Sequence, residues 1–501
     1  MLLYLVSDVA GAKRNNRVSP PGNLMHLATM LMDQPKLGLK ELKADFGFVL
    51  VARNESRSMR SFFGYDQPDM VAMGVYETEL PGLANLCKKI RIHWPETEIV
   101  VGGPLATVIP RTVLSVSKAN ILCRGEADLT FREVVERRAA GKDILGIDGV
   151  LVRRNDGTIL EHPNSEVIPR IPLSMLENIA MHPEVIRLIL EESGSFLTPA
   201  IFSRGCAYGN CSFCSVDSNK WRMLSPEIVR EQLAMLKTFG RKIGIRDTLF
   251  GGPRSVLGNY VRTLEGAAEE IAVSMSVDQF LIGNAPGNRE IDIDVMDSMF
   301  RAGIRMISMG VESLTDSMLK RLKHSRYTAD EAIRVLVTLG KKGFVIRSNL
   351  ILTDAETTDE ELKTTVDSAA TISEIFRREK MDVVLRPLSA VSPCPGTPYY
   401  DKFLASSTAN GGSNRFYGQK CHPGDPFPYY DVEPEANAFP AVRDLFYNVL
   451  GGTAPQSSKP FHFETNLYLH YYTMTLRKYL FATVHPEAIM GVPQDEADSA
   501  I

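Results

Sequence analysis

Apolar and polar positions alternate along this chain in two registers, and the alternation divides it. Short apolar runs at Leu2–Val6, Phe46–Val51, Met70–Val75, Ile99–Val101 and Ala119–Cys123 read as buried strands. Between two of them Leu83, Leu86, Cys87 and Ile90 repeat at i, i+3, i+4 and i+7 behind Pro81, which predicts an amphipathic helix. Strands alternating with helices in this way predict a doubly wound parallel sheet over the first 150 or so residues. A second series begins near residue 200, with strands expected at Ala200–Arg204, Lys242–Arg246, Ala272–Val277, Met306–Val311, Val345–Leu352 and Asp382–Leu388. Ser225-Pro226 forms an N-cap and N1 pair before Val229, Leu233 and Leu236, and Gly240 closes that helix. Thr328 and Glu331 read as a capping box before Ile333, Leu336 and Leu339. Six βα units predict a partial (β/α)6 barrel, with chemistry at the carboxyl ends of its strands. Beyond about residue 400 the pattern loosens into a mostly helical and irregular region, with a tyrosine-dense helix expected near Leu467–Leu480. His462 and His470 in that region read as packing or capping residues.

Composition narrows the class. At 501 residues and 44% hydrophobic, the chain can bury two or three cores. A net charge of −4 gives no general attraction to nucleic acid or anionic lipid. No apolar run approaches the roughly 20 residues needed to cross a bilayer. Met1–Val6 lacks a basic start and a cleavage site, so it reads as a strand. Of seven cysteines three are clustered, which suits a reducing cytoplasm better than a disulfide framework.

The cluster is the strongest chemical signal. Cys206, Cys211 and Cys214 fall within nine residues, in Ser203-Arg204-Gly205-Cys206-Ala207-Tyr208-Gly209-Asn210-Cys211-Ser212-Phe213-Cys214, directly after the first strand of the second series. Three thiolates do not complete a tetrahedral structural zinc, but they suit an iron–sulfur cluster whose fourth iron stays open. The alternative is a zinc site completed by a distant Cys421 or His422.

This loop, with an aromatic residue before its third cysteine, resembles that of the radical S-adenosylmethionine enzymes. The resemblance implies a 4Fe-4S cluster whose open iron is chelated by S-adenosylmethionine, cleaved by one electron to a 5′-deoxyadenosyl radical. The family's usual spacing is C-x3-C-x2-C, and this chain has C-x4-C-x2-C. The resemblance further implies that Phe213 lies against the adenine and that Glu312, in Gly310-Val311-Glu312-Ser313, bonds the ribose hydroxyls. The alternative for Glu312 is a capping or ion-paired residue near Arg305. Ile245–Phe250 and Pro395-Gly396-Thr397-Pro398 match the family's second and sixth strand ends. The fifth departs, reading Leu352-Thr353-Asp354-Ala355-Glu356-Thr357 where relatives often carry G-x-P-G-E-T. Cys394 is a candidate hydrogen-atom donor or reactive thiol, or simply a small buried hydrophobe.

The N-terminal region resembles the cobalamin-binding domain that precedes the radical domain in one large subfamily. The likeness rests on Pro20-Pro21-Gly22-Asn23-Leu24, Gly74-Val75-Tyr76-Glu77-Thr78, Val100-Val101-Gly102-Gly103-Pro104 and Arg124-Gly125-Glu126-Ala127-Asp128. It implies cobalamin contacts from Tyr76, Thr78, Gly102, Gly103, Gly125 and Glu126. Tyr76 reads equally as a surface or core aromatic. The D-x-H-x-x-G motif that supplies a cobalt-ligating histidine is missing, since Asp8-Val9-Ala10-Gly11 lacks the histidine; a domain that keeps the fold without binding cobalamin is the alternative.

The expected organisation is a cobalamin-binding Rossmann-like domain over 1–165, a linker over 166–195, the radical barrel over 196–400 and a substrate-shaping region over 401–501. The expected activity is methylation of an unactivated carbon or phosphorus centre in a small molecule. Radical rearrangement, cyclisation or ring contraction is the alternative, and a non-catalytic cobalamin or redox sensor a further one. The expected partners are a small-molecule substrate and an electron donor such as flavodoxin or ferredoxin, with no nucleic acid and no membrane.

Overall fold

The computed structural model describes residues 1–8, 22–42, 45–51, 60–75, 80–161, 168–179, 181–193, 195, 197–216, 221–240, 242–266, 268, 270–391 and 394–409. Tyr76, Thr78, Pro20, Pro21, Cys421, His422, His462, His470 and the helix expected near Leu467–Leu480 lie outside the described residues. The chain divides into two compact units, one of 1–204 with 222–246, the other of 205–221 with 247 onward.

In the first unit seven strands form one sheet: β1 (Leu2–Asp8), β2 (Asp45–Val51), β3 (Met70–Gly74), β4 (Glu98–Gly102), β5 (Ile121–Cys123), β6 (Val150–Arg153) and β7 (Ile159–Glu161), in the order β2-β1-β3-β4-β5-β6-β7. The first five are parallel, as their apolar runs predict, because strands buried on both faces need no polar alternation. Order 2-1-3-4-5 reverses direction between β1 and β3, and ligands of such sheets bind beyond the carboxyl ends of the strands. β6 and β7 extend the sheet antiparallel, joined by a turn in which Gly157 takes φ +90° and Asp156 accepts the Thr158 N–H at 2.8 Å. The expected helix runs Leu80–His93 and buries Leu83, Leu86, Cys87 and Ile90. The stretch 166–195, expected as a linker, holds the helix Pro183–Ser193, whose Val185, Ile186, Ile189 and Leu190 are buried and which packs on β2.

Two further parallel strands belong to this unit, β8 (Leu197–Ala200) and, later in the chain, β11 (Lys242–Ile245). The strand expected at Ala200–Arg204 is therefore two pieces. β8 ends at Ala200, and β9 (Ser203–Arg204) pairs antiparallel with β10 (Arg222–Met223), bracketing the cysteine loop. Arg204 leaves the direction of β8 to meet the buried Asp128 at 2.8 Å. Ser225 sits at the N-cap of Pro226–Lys237 as expected, but its side chain makes no capping bond; its N–H donates to Glu177 at 3.3 Å.

In the second unit β12 (Ile271–Ser276), β15 (Ile304–Glu312), β16 (Val345–Thr353) and β17 (Val383–Ala390) pair in parallel, and β13 (Leu281–Ile282) with β14 (Glu290–Ile291) makes a short hairpin. These strands stand where the sequence predicts them. The capping box of Thr328 and Glu331 is present, and Glu331 does more than cap. Wholly buried, it accepts from Arg289 Nη2 at 2.8 Å, Arg289 Nε at 3.1 Å and the Gly287 N–H at 2.9 Å.

Burial works against the Glu331 charge, but Arg289 and the N–H groups of Thr328 and Gly287 outweigh it and hold the carboxyl down at about 2. Glu361 is likewise held at about 2 against its burial, by Arg321, Ser317 and the Thr358 N–H. Depressed folded-state values give stability that is complete above the unfolded value of 4.5 and lost as pH falls toward about 2. Melting midpoints across a pH series are expected to stay level above that carboxyl value and drop below it, the drop shrinking in E331Q and E361Q.

Candidate functional site

The cysteine loop is held by its own backbone. Gly205 and Gly209 take φ of +75° and +51°, the left-handed conformation that glycine adopts at least cost. The Ser212 N–H donates to Leu322 O at 3.0 Å, its hydroxyl donates to Arg321 O at 2.9 Å, and Ser212 O accepts the Tyr399 N–H at 2.9 Å. The loop is thereby tied to the end of the helix Asp316–Lys323 and to the start of the helix Pro398–Ala409. Phe213 packs against the buried cluster of Met318, Leu322, Ile351, Val391, Tyr399 and Phe403.

Cys206, Cys211 and Cys214 are all partly exposed. Burial and the neighbouring Cys211 and Cys206 thiols push the Cys214 thiol up, against a bond from the Val216 N–H and the charge of Lys323. Among the described residues no three Cys, His, Asp or Glu side chains converge on one point as a single ion demands. Three thiolates, one for each of three irons, are a donor set that fits a 4Fe-4S cluster whose fourth iron stays open. Two cations stand beside it. Arg326 donates to Cys211 Sγ at 3.4 Å, and Lys323 is buried nearby.

Lys323 pairs with Glu312, not with the cluster cysteines: Nζ lies 3.1 Å from Oε1. Burial opposes the lysine's charge, and Glu312 more than offsets it, so the amine is held above its ordinary range. Glu312 ends β15 at φ +62° beside a register shift between Gly310 and Glu312. A left-handed non-glycine residue at a strand end is strained, and such strain gathers at binding sites. A Cβ on Gly310 would lie 2.4 Å from Glu312 Oε1, so glycine is needed for the carboxylate to fold back. Arg305, considered as its partner from sequence, instead stacks 3.9 Å over Phe300.

The altered fifth-strand segment has a structural use. Asp354 is buried, accepts from Thr357 Oγ1 at 2.8 Å, and pairs with Arg321 at 2.6 Å, while the Ala355 N–H donates to Tyr399 Oη at 2.8 Å. Cys394 is buried and its carbonyl accepts from Thr397 Oγ1 at 2.7 Å, closing the turn before Pro398.

In the first unit the candidate glycines are close to the protein's own backbone. A Cβ on Gly103 (φ +103°) would lie 2.9 Å from Val75 O, and one on Gly102 3.2 Å from Cys123 O. On Gly125 (φ +68°) it would lie 2.4 Å from Pro169 O. The Glu126 carboxylate is engaged as well. Arg222 reaches it at 2.9 and 2.5 Å, and the Ile171 N–H donates to it at 2.8 Å. Gly125 and Glu126 thus fasten residues 168–171 across the end of β5. Gly125→Ala is expected to lower the melting midpoint of the apoprotein clearly, and Gly141→Ala, with open space around its Cβ, much less.

Sequence reasoning missed His26 and the pairing of Asp128 with Arg204. His26 Nδ1 lies 3.9 Å from Asp128 Oδ1, and both ring nitrogens are buried without a hydrogen bond. Burial and the Arg204 charge, against the pull of Asp128, lower the imidazole to about 3, so it is neutral at physiological pH. It also missed Tyr208, Asp278, Lys323 and Arg326; only Tyr208 carried a signal, by lying inside the lengthened cysteine interval.

Residues 200–369 match the model of the Radical SAM superfamily, a stretch that includes the three cysteines and Glu312. The uncharacterized methyltransferase PH0819 of Pyrococcus horikoshii is 23% identical over 417 residues, 81% of this chain and 83% of that protein. The structure resembles that of the cobalamin-dependent S-adenosylmethionine radical enzyme OxsB, solved with aqua-cobalamin and S-adenosylmethionine bound, at a TM-score of 0.67 and 16% identity over 96% of this chain and 71% of that one. It also resembles the radical S-adenosylmethionine methyltransferase TsrM of Kitasatospora setae, solved with cobalamin and a [4Fe-4S] cluster, at 0.64 and 14% identity over 100% and 99%. The chain carries a radical S-adenosylmethionine domain, in the α/β fold of the cobalamin-dependent enzymes. Among the described residues no helix is long and apolar enough to cross a membrane.

Proposed function

From a chain that carries this domain in this fold, we propose a cobalamin-dependent radical S-adenosylmethionine enzyme that methylates an unactivated carbon or phosphorus centre of a small molecule. The observation that supports it most is the three-cysteine loop, inside the matched stretch and flanked by Arg326 and the buried Lys323. When bound, S-adenosylmethionine on the cluster supplies a carbon-centred radical and cobalamin a methyl group. Cys206, Cys211 and Cys214 would hold three irons of a 4Fe-4S cluster. Glu312 would accept from the vicinal ribose hydroxyls, its carboxylate oriented by the ion pair with Lys323. Phe213, seated in its apolar cluster, would present the loop backbone to the adenine. Gly102 and Gly103 would border the corrin at the carboxyl end of β4. Gly125 and Glu126 would act through the strap they fasten. An external one-electron donor of the flavodoxin or ferredoxin class is required, and a reducing cytoplasm suits the partly exposed thiols.

The resemblance to the uncharacterized methyltransferase PH0819 and to the methyltransferase TsrM supports methyl transfer over rearrangement. The test of the site is Glu312→Gln. Assayed anaerobically with dithionite, it is expected to retain the cluster's iron and sulfide while losing most S-adenosylmethionine affinity and 5′-deoxyadenosine formation. Unchanged affinity would remove Glu312 from the site.

A further inference from the structure

The interval between Cys206 and Cys211 is one residue longer than the usual spacing, and Tyr208 lies within it. The Tyr208 ring is 4.2 Å from the Arg326 guanidinium, stacked as a cation on an aromatic face. Asp278, just after β12, accepts a hydrogen bond from the Tyr208 phenol. Arg326 Nη2 donates to Cys211 Sγ at 3.4 Å, while Nε and Nη1 are buried without a hydrogen-bond partner. The backbone that delivers Arg326 is unusual. His324 and Ser325 take φ of +55° and +53°, two consecutive left-handed residues that are not glycine. The turn is pinned on both sides. Arg289 Nη2 donates to Arg326 O at 2.6 Å, and Tyr327 Oη donates to Val311 O at 2.9 Å. Strain held by that many bonds places one side chain, and that side chain is the guanidinium on Cys211.

We propose that the longer cysteine interval builds a clamp in which Tyr208 holds Arg326 against Cys211, so that a fixed positive charge and an N–H···S bond raise the reduction potential of the cluster. This rests on the reading of Cys206, Cys211 and Cys214 as cluster ligands. Arg326 is a positioning residue: it moves no atom of the substrate. The step it favours is addition of one electron from an external reductant to the cluster, which makes the cluster more negative. Nearby positive charge and hydrogen bonds to sulfur favour the more negative state. An arginine suits the task because it stays charged and its planar fork can stack and donate at once.

The test is an anaerobic redox titration of the reconstituted full-length protein, followed by the electron paramagnetic signal of the reduced cluster. Arg326→Gln is expected to bind as much iron as the parent but to show a reduced-to-oxidised ratio about tenfold lower at the parent's midpoint, a shift of about 59 mV for one electron. Arg326→Lys should recover part of the shift, having the charge without the fork. Tyr208→Leu should fall between the parent and Arg326→Gln. A loaded Arg326→Gln that titrates with the parent overturns the proposal. Should Arg326→Gln fail to hold a cluster, the other two variants decide: lowered midpoints support the clamp, and parental midpoints in both overturn it. A parent that binds no cluster overturns the cysteine reading itself, and this inference with it.

Discussion

Alanine at Cys206, Cys211 or Cys214 is expected to abolish 5′-deoxyadenosine formation. The reconstituted parent should hold about four irons and four sulfides per chain, the content of one cubane cluster. Each variant should lose the characteristic absorption together with the activity, because no described side chain stands by as a substitute. Cys87 and Cys123 are buried, and burial pushes both thiols up to about 12, out of reach of metal chemistry at neutral pH. Cys394→Ala is the useful contrast: it should leave cluster content unchanged, whatever it does to turnover. Iron and sulfide analysis of the four single variants checks this, and a full cluster in the triple Cys206, Cys211 and Cys214 variant would show that the ligands are elsewhere.

The largest loss of stability is expected at Glu331, which has no contact with the cysteines. Glu331→Ala removes the partner of a nearly buried Arg289 and the acceptor for three backbone N–H groups, those of Gly287, Arg289 and Thr328. Breaking one side of such a buried pair costs about 3–5 kcal/mol. Urea unfolding should register it as a lower midpoint with the slope retained. Replacing both Arg289 and Glu331 with apolar residues should return much of the loss, since no buried charge is then left alone. Arg326 O also accepts from Arg289, so Glu331→Ala is expected to weaken cluster retention as a secondary effect.

Much of this architecture was legible because it depends on local periodicity. The five parallel strands of the first sheet, the helix from Leu80 and the capping box at Thr328 each announce themselves within a dozen residues. The antiparallel β6–β7 extension was also written in the chain, as apolar runs flanking Asn155-Asp156-Gly157, but the surrounding βα rhythm favoured reading only parallel strands. The break after Ala200 was hidden, because Ile201 and Phe202 continue the apolar run while Arg204 obeys Asp128, a residue distant in sequence.

The site divides in the same way. Close spacing identified the cysteines, and a strand-end carboxylate identified Glu312. What surrounds them is tertiary. Lys323 is eleven residues from Glu312 and reads as one basic residue of an exposed-looking helix end; only the fold buries it. In the sequence Gly103 and Gly125 suggest room for a ligand, and their first use is room for Val75 and Pro169. A glycine reports that something passes close by, but not what.

The proposed function requires one protein to combine radical formation with methyl transfer through cobalamin. The most direct measurement uses full-length protein reconstituted with iron, sulfide and hydroxocobalamin, given S-adenosylmethionine and a low-potential reductant, with both nucleoside products quantified by mass. The expected result is 5′-deoxyadenosine that depends on the three cysteines and S-adenosylhomocysteine that depends on bound cobalamin. Formation of 5′-deoxyadenosine with no cobalamin-dependent S-adenosylhomocysteine would contradict methyl transfer and move the assignment to radical rearrangement or cyclisation.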